Sequence, residues 1–243
     1  PLLIHTLEQR LNAIESLGIE ASLVLPFDEA MSQISGEAFI RGLAVDLGRI
    51  SSVCVGANFV FGHDRSGNVK LLRHLGEDLN FITHGLASVS LDGQIVSSTR
   101  VRESIGTGHL DAAGQMLGRE YTLCGIIIQG DQRGRELGFP TANLDVAGLC
   151  TPPHGVYAAH AEVSGQLYRA AVNIGFRPTA KEHESTLHVE AHLLDFEEEI
   201  YGHNCALTFV SKLREEQDFE TMDALKAQIE KDVIQARYIF TQL

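Results

Sequence analysis

No apolar run in the chain approaches the ~18 residues that a membrane-crossing helix needs. Nothing near the start has the charged, apolar and small-residue regions of a secretory signal. The four cysteines, Cys54, Cys124, Cys150 and Cys205, are few and far apart. That argues against a disulfide framework and shows no paired zinc-ligand spacing; they read as reduced, mostly structural thiols of a cytoplasmic protein in preference to a metal site. Positive charge is scarce: 19 Lys and Arg against 32 Asp and Glu give a net charge of −13. Broad nucleic-acid binding, which needs a basic face, is excluded. A local basic loop for a small anion is not. There is no internal repeat and no low-complexity tract. With 44% hydrophobic and 21% charged residues the chain is an ordinary globular one, and 243 residues hold one large or two small domains. Pro1 in place of an initiating Met reads as the mark of a fragment.

The first half alternates strands and helices. Thr6 caps a helix with Leu7, Leu11, Ile14 and Leu17 in one stripe, ended by Gly18. Ala21 to Leu25 reads as a short buried strand. Ser35 caps a second helix with Phe39, Ile40, Leu43 and Leu47 inward. Ile50 to Val55 is another strand, closing on Gly56. This order predicts a parallel α/β sheet, whose ligands lie beyond the carboxyl ends of the strands. Gly56 to Gly62 falls there. Asn58, Phe59 and Phe61 then have two readings, a packed loop with core aromatics or a nucleotide or flavin contact. Val69 to Leu75 predicts a short helix, and Asp92-Gly93 a turn. Ser97, Ser98, Thr99 and Arg100 open a helix with Val101 and Ile105 inward. Their hydroxyls can be caps, or can face a triphosphate at the helix N-terminus. A last helix, His109 to Leu117, ends at Gly118. The pattern then switches from helical to alternating, which sets a domain boundary between residues 119 and 120.

The second half is rich in strands. Gly125-Ile126-Ile127-Ile128 reads as a buried strand. Val156 to Val163 and Leu167 to Ile174 make a hairpin about Ser164-Gly165. Leu187 to Phe196 and Cys205 to Leu213 add two more strands. Short strands with turns between them predict an antiparallel barrel. From Thr221 a terminal helix turns Met222, Leu225, Ile229 and Val233 toward it. The acidic residues Asp195, Glu197, Glu198 and Glu199 read as a solvated turn.

Between the first strand of that half and the second runs Gly130-Asp131-Gln132-Arg133-Gly134-Arg135-Glu136-Leu137-Gly138-Phe139-Pro140-Thr141-Ala142-Asn143. Its glycines permit tight turns and close backbone approach, and their amides can form an anion-binding concavity. Arg133 and Arg135 add charge for a phosphate. Pro140 stiffens the exit, and Thr141 and Asn143 offer oxygen ligands suited to Mg²⁺. A Walker loop, with Gly-Lys-Ser/Thr opening a helix, is absent. From the glycines and arginines alone, a Gly-rich hairpin with a basic surface loop is the favoured reading.

The complete string resembles the ATP-binding signature of the riboflavin kinases. The resemblance continues through Gly155-Val156-Tyr157, Asn173 to Thr179, Glu190 to Phe196, Tyr201-Gly202, Leu213-Arg214 and Phe219. Upstream, Val55 to Gly62 and Ser97 to Arg102 resemble the nucleotidyltransferase half of bacterial bifunctional riboflavin kinase/FAD synthetases. The implied fold is α/β plus β: an incomplete Rossmann-like nucleotidyltransferase domain (1–119), then a small antiparallel β-barrel riboflavin kinase domain with a C-terminal helix (120–243). The implied reaction is ATP- and Mg²⁺-dependent phosphorylation of riboflavin to FMN, with adenylylation of FMN to FAD in the full-length parent. Riboflavin, ATP and FMN are the expected partners, with no nucleic acid and no membrane.

Residue by residue, the resemblance makes Glu190 the catalytic base. Spacing alone reads it as an outward carboxylate of an alternating strand. It assigns ATP and phosphate contact to Gly130, Arg133, Gly134, Arg135, Thr141 and Tyr201, and the metal to Thr141 and Asn143. It assigns the flavin to Arg214, Gln217 and Phe219, an aromatic and a guanidinium that suit an isoalloxazine ring. It assigns nucleotide or flavin contact in the first half to Gly56, Asn58, Phe59, Ser98, Thr99 and Arg100. His192, two residues beyond Glu190, reads as structural. Val60 and Asn58 stand where family members usually carry Arg and Asp. The family's opening Gly-x-Phe-Asp-Gly-x-His-x-Gly-His segment has no counterpart, so the resemblance is to an N-terminally truncated form. FAD synthesis by these residues alone is not expected, and a truncated chain and a true loss stay open. A non-catalytic flavin-binding module is the alternative, disfavoured by the intact set of Thr141, Asn143 and Glu190.

Overall fold

The structure is a computed structural model that describes residues 1–130, 133–178 and 185–242. Thr6 opens helix α1 (Leu7–Glu15) through a capping box. Its hydroxyl accepts from the Gln9 amide at 3.1 Å, and the Gln9 side chain accepts from the Thr6 amide at 2.9 Å. Gln9 also donates to the Thr122 carbonyl at 2.9 Å, fastening the helix to the strand that starts there. The expected apolar stripe is present but uncovered: no α1 residue is buried, and Leu17 is 81% exposed.

Glu20–Val96 form one compact unit. It contains α2 (Glu29–Ser32), α3 (Gly36–Asp46), β1 (Ser52–Gly56), β2 (Val60–Phe61), β3 (Gly67–Asn68), α4 (Val69–Leu79), β4 (Ile82–Leu86), β5 (Ser90–Leu91) and β6 (Gln94–Ile95). Asp28, Ser35 and Asn68 cap the three helices. β1 and β4 pair in parallel from Ser52↔Ile82 to Gly56↔Leu86, with α4 in the connection, the βαβ unit of an α/β fold. Ile40, Leu72, Leu75 and Phe81 are its core. Asp92 and Gly93 take φ of 53° and 73°, as a tight turn between β5 and β6 requires. The strand expected at Ala21–Leu25 does not form. Leu23 is 65% exposed, and among the described residues β1 and β4 have only each other as ladder partners. An apolar run has strand propensity, but without a neighbour its backbone groups stay with water.

Pro1–Ile19 and Ser97–Leu243 form the other unit. After α1 it holds α5 (Ser98–Gly106), α6 (Leu110–Leu117), β7 (Thr122–Ile128), α7 (Arg133–Glu136), β8 (Ala142–Asp145), β9 (Gly155–Val163), β10 (Gln166–Pro178), β11 (Ser185–Leu193), β12 (Asn204–Arg214) and α8 (Met222–Phe240). The strands close an antiparallel barrel in the order β10-β11-β8-β7-β12-β9. Ser164 and Gly165, at φ of 51° and 78°, make the hairpin between β9 and β10. Leu144, Val172, Ile174, Val189 and Leu207 fill the interior, with Ala159, Ala161 and Ala170 as the small residues of a narrow barrel. Val101, Ile105 and Ala113 bring α5 and α6 into the same cluster, so these helices pack with the barrel. The first barrel strand, β7, begins at Thr122.

Two sequence expectations change here. Of the run expected to be buried, only Ile127 points inward; Ile126 and Ile128 are 51% and 47% exposed. A barrel strand has an inner and an outer face, and alternation overrides the continuous apolar run. In α8, Met222 is exposed and the buried residues are Asp232, Ala236 and Phe240, with Leu225, Ile229 and Val233 half-buried. The helix presses its later turns onto Ala158, Ala171 and Leu194 of the barrel exterior. The cysteines are free, with Cys150 and Cys205 buried. Burial pushes the Cys205 thiol up to about 12 and that of Cys124 to about 11. Such thiols are inert. Among the described residues no helix is long and apolar enough to cross a membrane.

Asp232 is the charged member of the buried face of α8. Its carboxylate accepts from Arg214 Nε at 2.9 Å and from an Arg214 terminal nitrogen at 2.8 Å, and Gln228 donates to it at 2.9 Å. Removing one partner of a buried pair strands the other charge, at a cost of about 3–5 kcal/mol. Asp232→Ala is therefore expected to lower the unfolding free energy of the barrel unit by several kcal/mol, whereas Met222→Ala changes it by less than about 0.5 kcal/mol. Equal midpoints for the two variants in equilibrium denaturation would show that α8 is not anchored by this pair.

Candidate active site

Residues directly opposed in an antiparallel ladder project to the same side. Ile128 pairs with Asn143, Asn143 with Glu190, Glu190 with Asn173, Asn173 with Val156, and Val156 with Arg214. That row crosses all six strands. The residues next to it in sequence, Ile127, Leu144, Val189, Ala191, Val172 and Ile174, belong to the interior cluster. The row therefore lies on the outer face. It brings Asn143, Glu190 and Arg214, which are far apart in sequence, onto one surface.

The phosphate-loop candidates approach this row from β7 and β8. Asn143 is 8% exposed although polar, and its side chain lies against the backbone of Gly130. A Cβ at residue 130 would overlap the Asn143 carboxamide. A Cβ at Gly134 would overlap the Phe139 carbonyl and press on the Thr141 hydroxyl at 3.2 Å. Each proposed metal ligand is thus seated on a glycine of the loop. Arg133 and Arg135 fall in the helical turn α7, where the sequence predicted only a turn-rich loop. Asp131 and Gln132 of this stretch, and Thr179 of the Asn173–Thr179 segment, lie outside the described residues.

A cavity of about 310 Å³ opens beside the loop, lined by Arg135, Thr141, Asn143, Glu197, Ile200 and Tyr201 among others. Tyr201 is 40% exposed and offers an aromatic face to it. The acidic run is exposed, as its composition implies, but Glu197, Glu198 and Glu199 also line the cavity. Sequence reading missed that role, and no spacing signals it. His192 shares the outer face with Glu190. Its Nδ1 lies 2.8 Å from the Pro140 carbonyl and its ring meets Phe139 edge-on at 5.5 Å. It is structural, holding the exit of the loop.

At the far end of the row, Arg214 is bound to Asp232 and to the Glu215 carbonyl, with its guanidinium 5.7 Å from the Phe219 ring centre. Gln217 is exposed and Phe219 half-buried beside it. Asp232 went unnoticed in the sequence. The signal was there, a lone carboxylate within the helical stripe of Leu225, Ile229 and Ala236.

The first-half candidates are distributed between the two units. Gly56 ends β1, and Asn58 and Phe59 follow it in Glu20–Val96. Phe59 is 44% exposed and stacks on Phe61 at 5.4 Å. Phe61 is packed against Gly67, where a Cβ would overlap its ring, so Phe59 is the presented aromatic and Phe61 its support. Ser98, Thr99 and Arg100 belong to the barrel unit. The cap of α5 is Ser97, whose hydroxyl accepts from the Arg100 amide at 3.3 Å. Ser98 and Thr99 are exposed in the first turn and are not the capping side chain.

The family model for riboflavin kinase matches residues 117–240, and that for FAD synthetase matches residues 1–100. The chain is 36% identical over 220 residues to the bifunctional riboflavin kinase/FMN adenylyltransferase of Pseudomonas fluorescens, covering 90% of this chain and 70% of that protein. It is 34% identical over 241 residues to the protein of the same name from Haemophilus influenzae, covering 99% and 78%. A Streptococcus pneumoniae crystal structure described as a macrolide-efflux protein superposes with a TM-score of 0.79 at 25% identity, over 97% of this chain and 76% of that one. With two family models on successive parts of the sequence, and relatives matched over most of their own length, the chain belongs to the bifunctional riboflavin kinase/FMN adenylyltransferase family.

Proposed function

We propose that residues 120–243 transfer the γ-phosphoryl group of ATP to the 5′-hydroxyl of riboflavin, giving FMN and ADP. The observation that carries this reading is the direct pairing of Asn143 with Glu190 across β8 and β11, beside the cavity at the glycine loop. A phosphoryl transfer needs little covalent help; it needs the reactants held in line and the charge neutralised.

Glu190 is the base. It accepts the 5′-hydroxyl proton as the new oxygen–phosphorus bond forms and the bond from the γ-phosphorus to the bridging oxygen breaks. Backbone amides about Gly130 and Gly134, with Arg133 and Arg135, hold the phosphates, and Tyr201 covers the adenine. Arg214, Gln217 and Phe219 receive the isoalloxazine ring, with Arg214 kept in position by Asp232. In the first half, Gly56, Asn58, Phe59, Ser98, Thr99 and Arg100 are proposed nucleotide or flavin contacts.

Mg²⁺ fits the residues present. Thr141 and Asn143 supply hard oxygen atoms, each held against a glycine. Among the described residues no group of three or more His, Cys, Asp or Glu could hold a metal ion. Such an ion would take few protein ligands and leave the rest of its shell to phosphates and water. When bound, it supplies charge neutralisation between the phosphates.

Four outcomes test the reading. With riboflavin, ATP and Mg²⁺, the wild-type chain produces FMN by chromatography. Glu190→Gln lowers turnover by ~10²–10⁴-fold, the usual contribution of a general base, while riboflavin still binds. Near-normal turnover would remove Glu190 from the role. Thr141→Ala and Asn143→Ala raise the Mg²⁺ concentration needed for half-maximal rate more than they weaken riboflavin binding. An unchanged Mg²⁺ titration in both would reject the metal ligands. Gly130→Ala, which displaces the Asn143 carboxamide, behaves like Asn143→Ala in the same titration. A wild-type profile for it would show that the glycine seat is not needed.

A further inference from the structure

The unit Glu20–Val96 carries two halves of one ladder that do not meet. Its parallel sheet has two strands among the described residues, β1 and β4, so each has one side without a ladder partner. Exposed edges of this kind are usually guarded by charges, proline or a bulge. Ser52-Val53-Cys54-Val55-Gly56 and Ile82-Thr83-His84-Gly85-Leu86 contain no Lys, Arg, Asp, Glu or Pro, and the register between them is continuous. Both edges are therefore open to another strand.

The other half is Ala21–Leu25. Among the described residues no backbone hydrogen bond joins residues 20–27 to a partner. Leu23, Val24, Leu25 and Phe27 are all exposed. Consecutive apolar residues suit a strand covered on both faces, as in a parallel sheet. The run has the length of β1 and no charge within it. β1 is also the strand that an apolar neighbour fits. Val53 and Val55 pack on the core cluster of Ile40, Leu72, Leu75 and Phe81, whereas β4 has Thr83 and Gly85 at the paired positions. A strand added beside β1 would extend that cluster.

We infer that two copies of the chain dimerise by exchanging these halves, Ala21–Leu25 of each adding to the free side of β1 in the other. A main-chain ladder supplies the hydrogen bonds, and the apolar side chains leave water. Reciprocal exchange is isologous and closes at two copies; a one-way addition would leave an edge open and grow into a filament. With a net charge of −13 on each chain, the copies repel at long range. Salt screens that repulsion, so the dimer tightens as ionic strength rises.

Sedimentation velocity of the full chain over a concentration series is expected to show a monomer–dimer equilibrium that shifts toward dimer in added salt. Neighbouring amides of a strand point to opposite sides, so the double variant Leu23→Pro/Val24→Pro removes a ladder donor whichever side meets β1. It is expected to raise the dimer dissociation constant by ~10-fold or more. Its circular dichroism stays that of the wild type, because these residues are exposed and unpaired within one chain. Register is read by cross-linking. Ser22→Cys, Leu23→Cys and Val24→Cys are made singly and oxidised with glutathione disulfide. Adjacent strands lie ~4.8 Å apart, within reach of a disulfide to Cys54. Side chains alternate, so covalent dimers are expected at position 23 alone or at 22 and 24, and are lost when Cys54→Ser is added. A monomer at every concentration would overturn the inference. So would a dimer indifferent to the double proline, species that keep growing beyond two copies, equal cross-linking at all three positions, or a disulfide closed within one chain.

Discussion

The pairing of β11 with β8 on one side and β10 on the other is the constraint on which the rest depends. A barrel strand has a side-chain period of two, so a slip of one residue exchanges its inner and outer faces. In β11 that would turn Val189 and Ala191 outward and drive Glu190 into an interior filled by Leu144, Val172, Ile174 and Leu207. Exposing each large apolar side chain costs about 1.5–3 kcal/mol, and burying an unpaired carboxylate costs more. The apolar inside therefore fixes the polar outside. The proposed base needs no loop to position it, because the core holds its strand in register.

Against that rigid surface the phosphate loop is fitted by contact with bare backbone. Gly130 and Gly134 leave room for Asn143 and Thr141, and Gly175 leaves room for Glu216. At Gly130 and Gly175 a polar side chain occupies the volume a Cβ would take, and at Gly134 the Phe139 carbonyl does, with Thr141 close beside it. Glycine costs conformational entropy in the unfolded chain. Here that cost is offset by setting oxygen atoms close to the main chain, where a phosphate, a cation or a hydroxyl can reach them.

Much of this was legible in the sequence. The caps at Thr6, Ser35, Ser97 and Thr221, the turns at Asp92-Gly93 and Ser164-Gly165, and the hairpin partners are local signals, and each governs a local structure. Failures arose where the outcome depends on a distant neighbour. Ala21–Leu25 has the composition of a strand but no ladder to join. Ile126 and Ile128 look buried by type and are exposed by the geometry of a two-faced sheet. The inward edge of α8 shifted because Asp232 found Arg214 from another strand. The row Asn143, Glu190, Asn173 was beyond reach for the same reason. The resemblance brought Glu190 and Asn143 into one site, but their register is a property of the closed barrel.

The distribution of the thiols has a practical side. Cys54 is exposed on β1, whereas Cys150 and Cys205 are buried and the Cys124 thiol is pushed up to about 11. A maleimide dye at neutral pH will react first at Cys54. The wild-type sequence thus carries its own fluorescent reporter for the Glu20–Val96 unit, set in a different compact unit from the barrel row. Motion or melting of that unit can be followed optically while flavin turnover is read from the barrel, with no engineered residue in either.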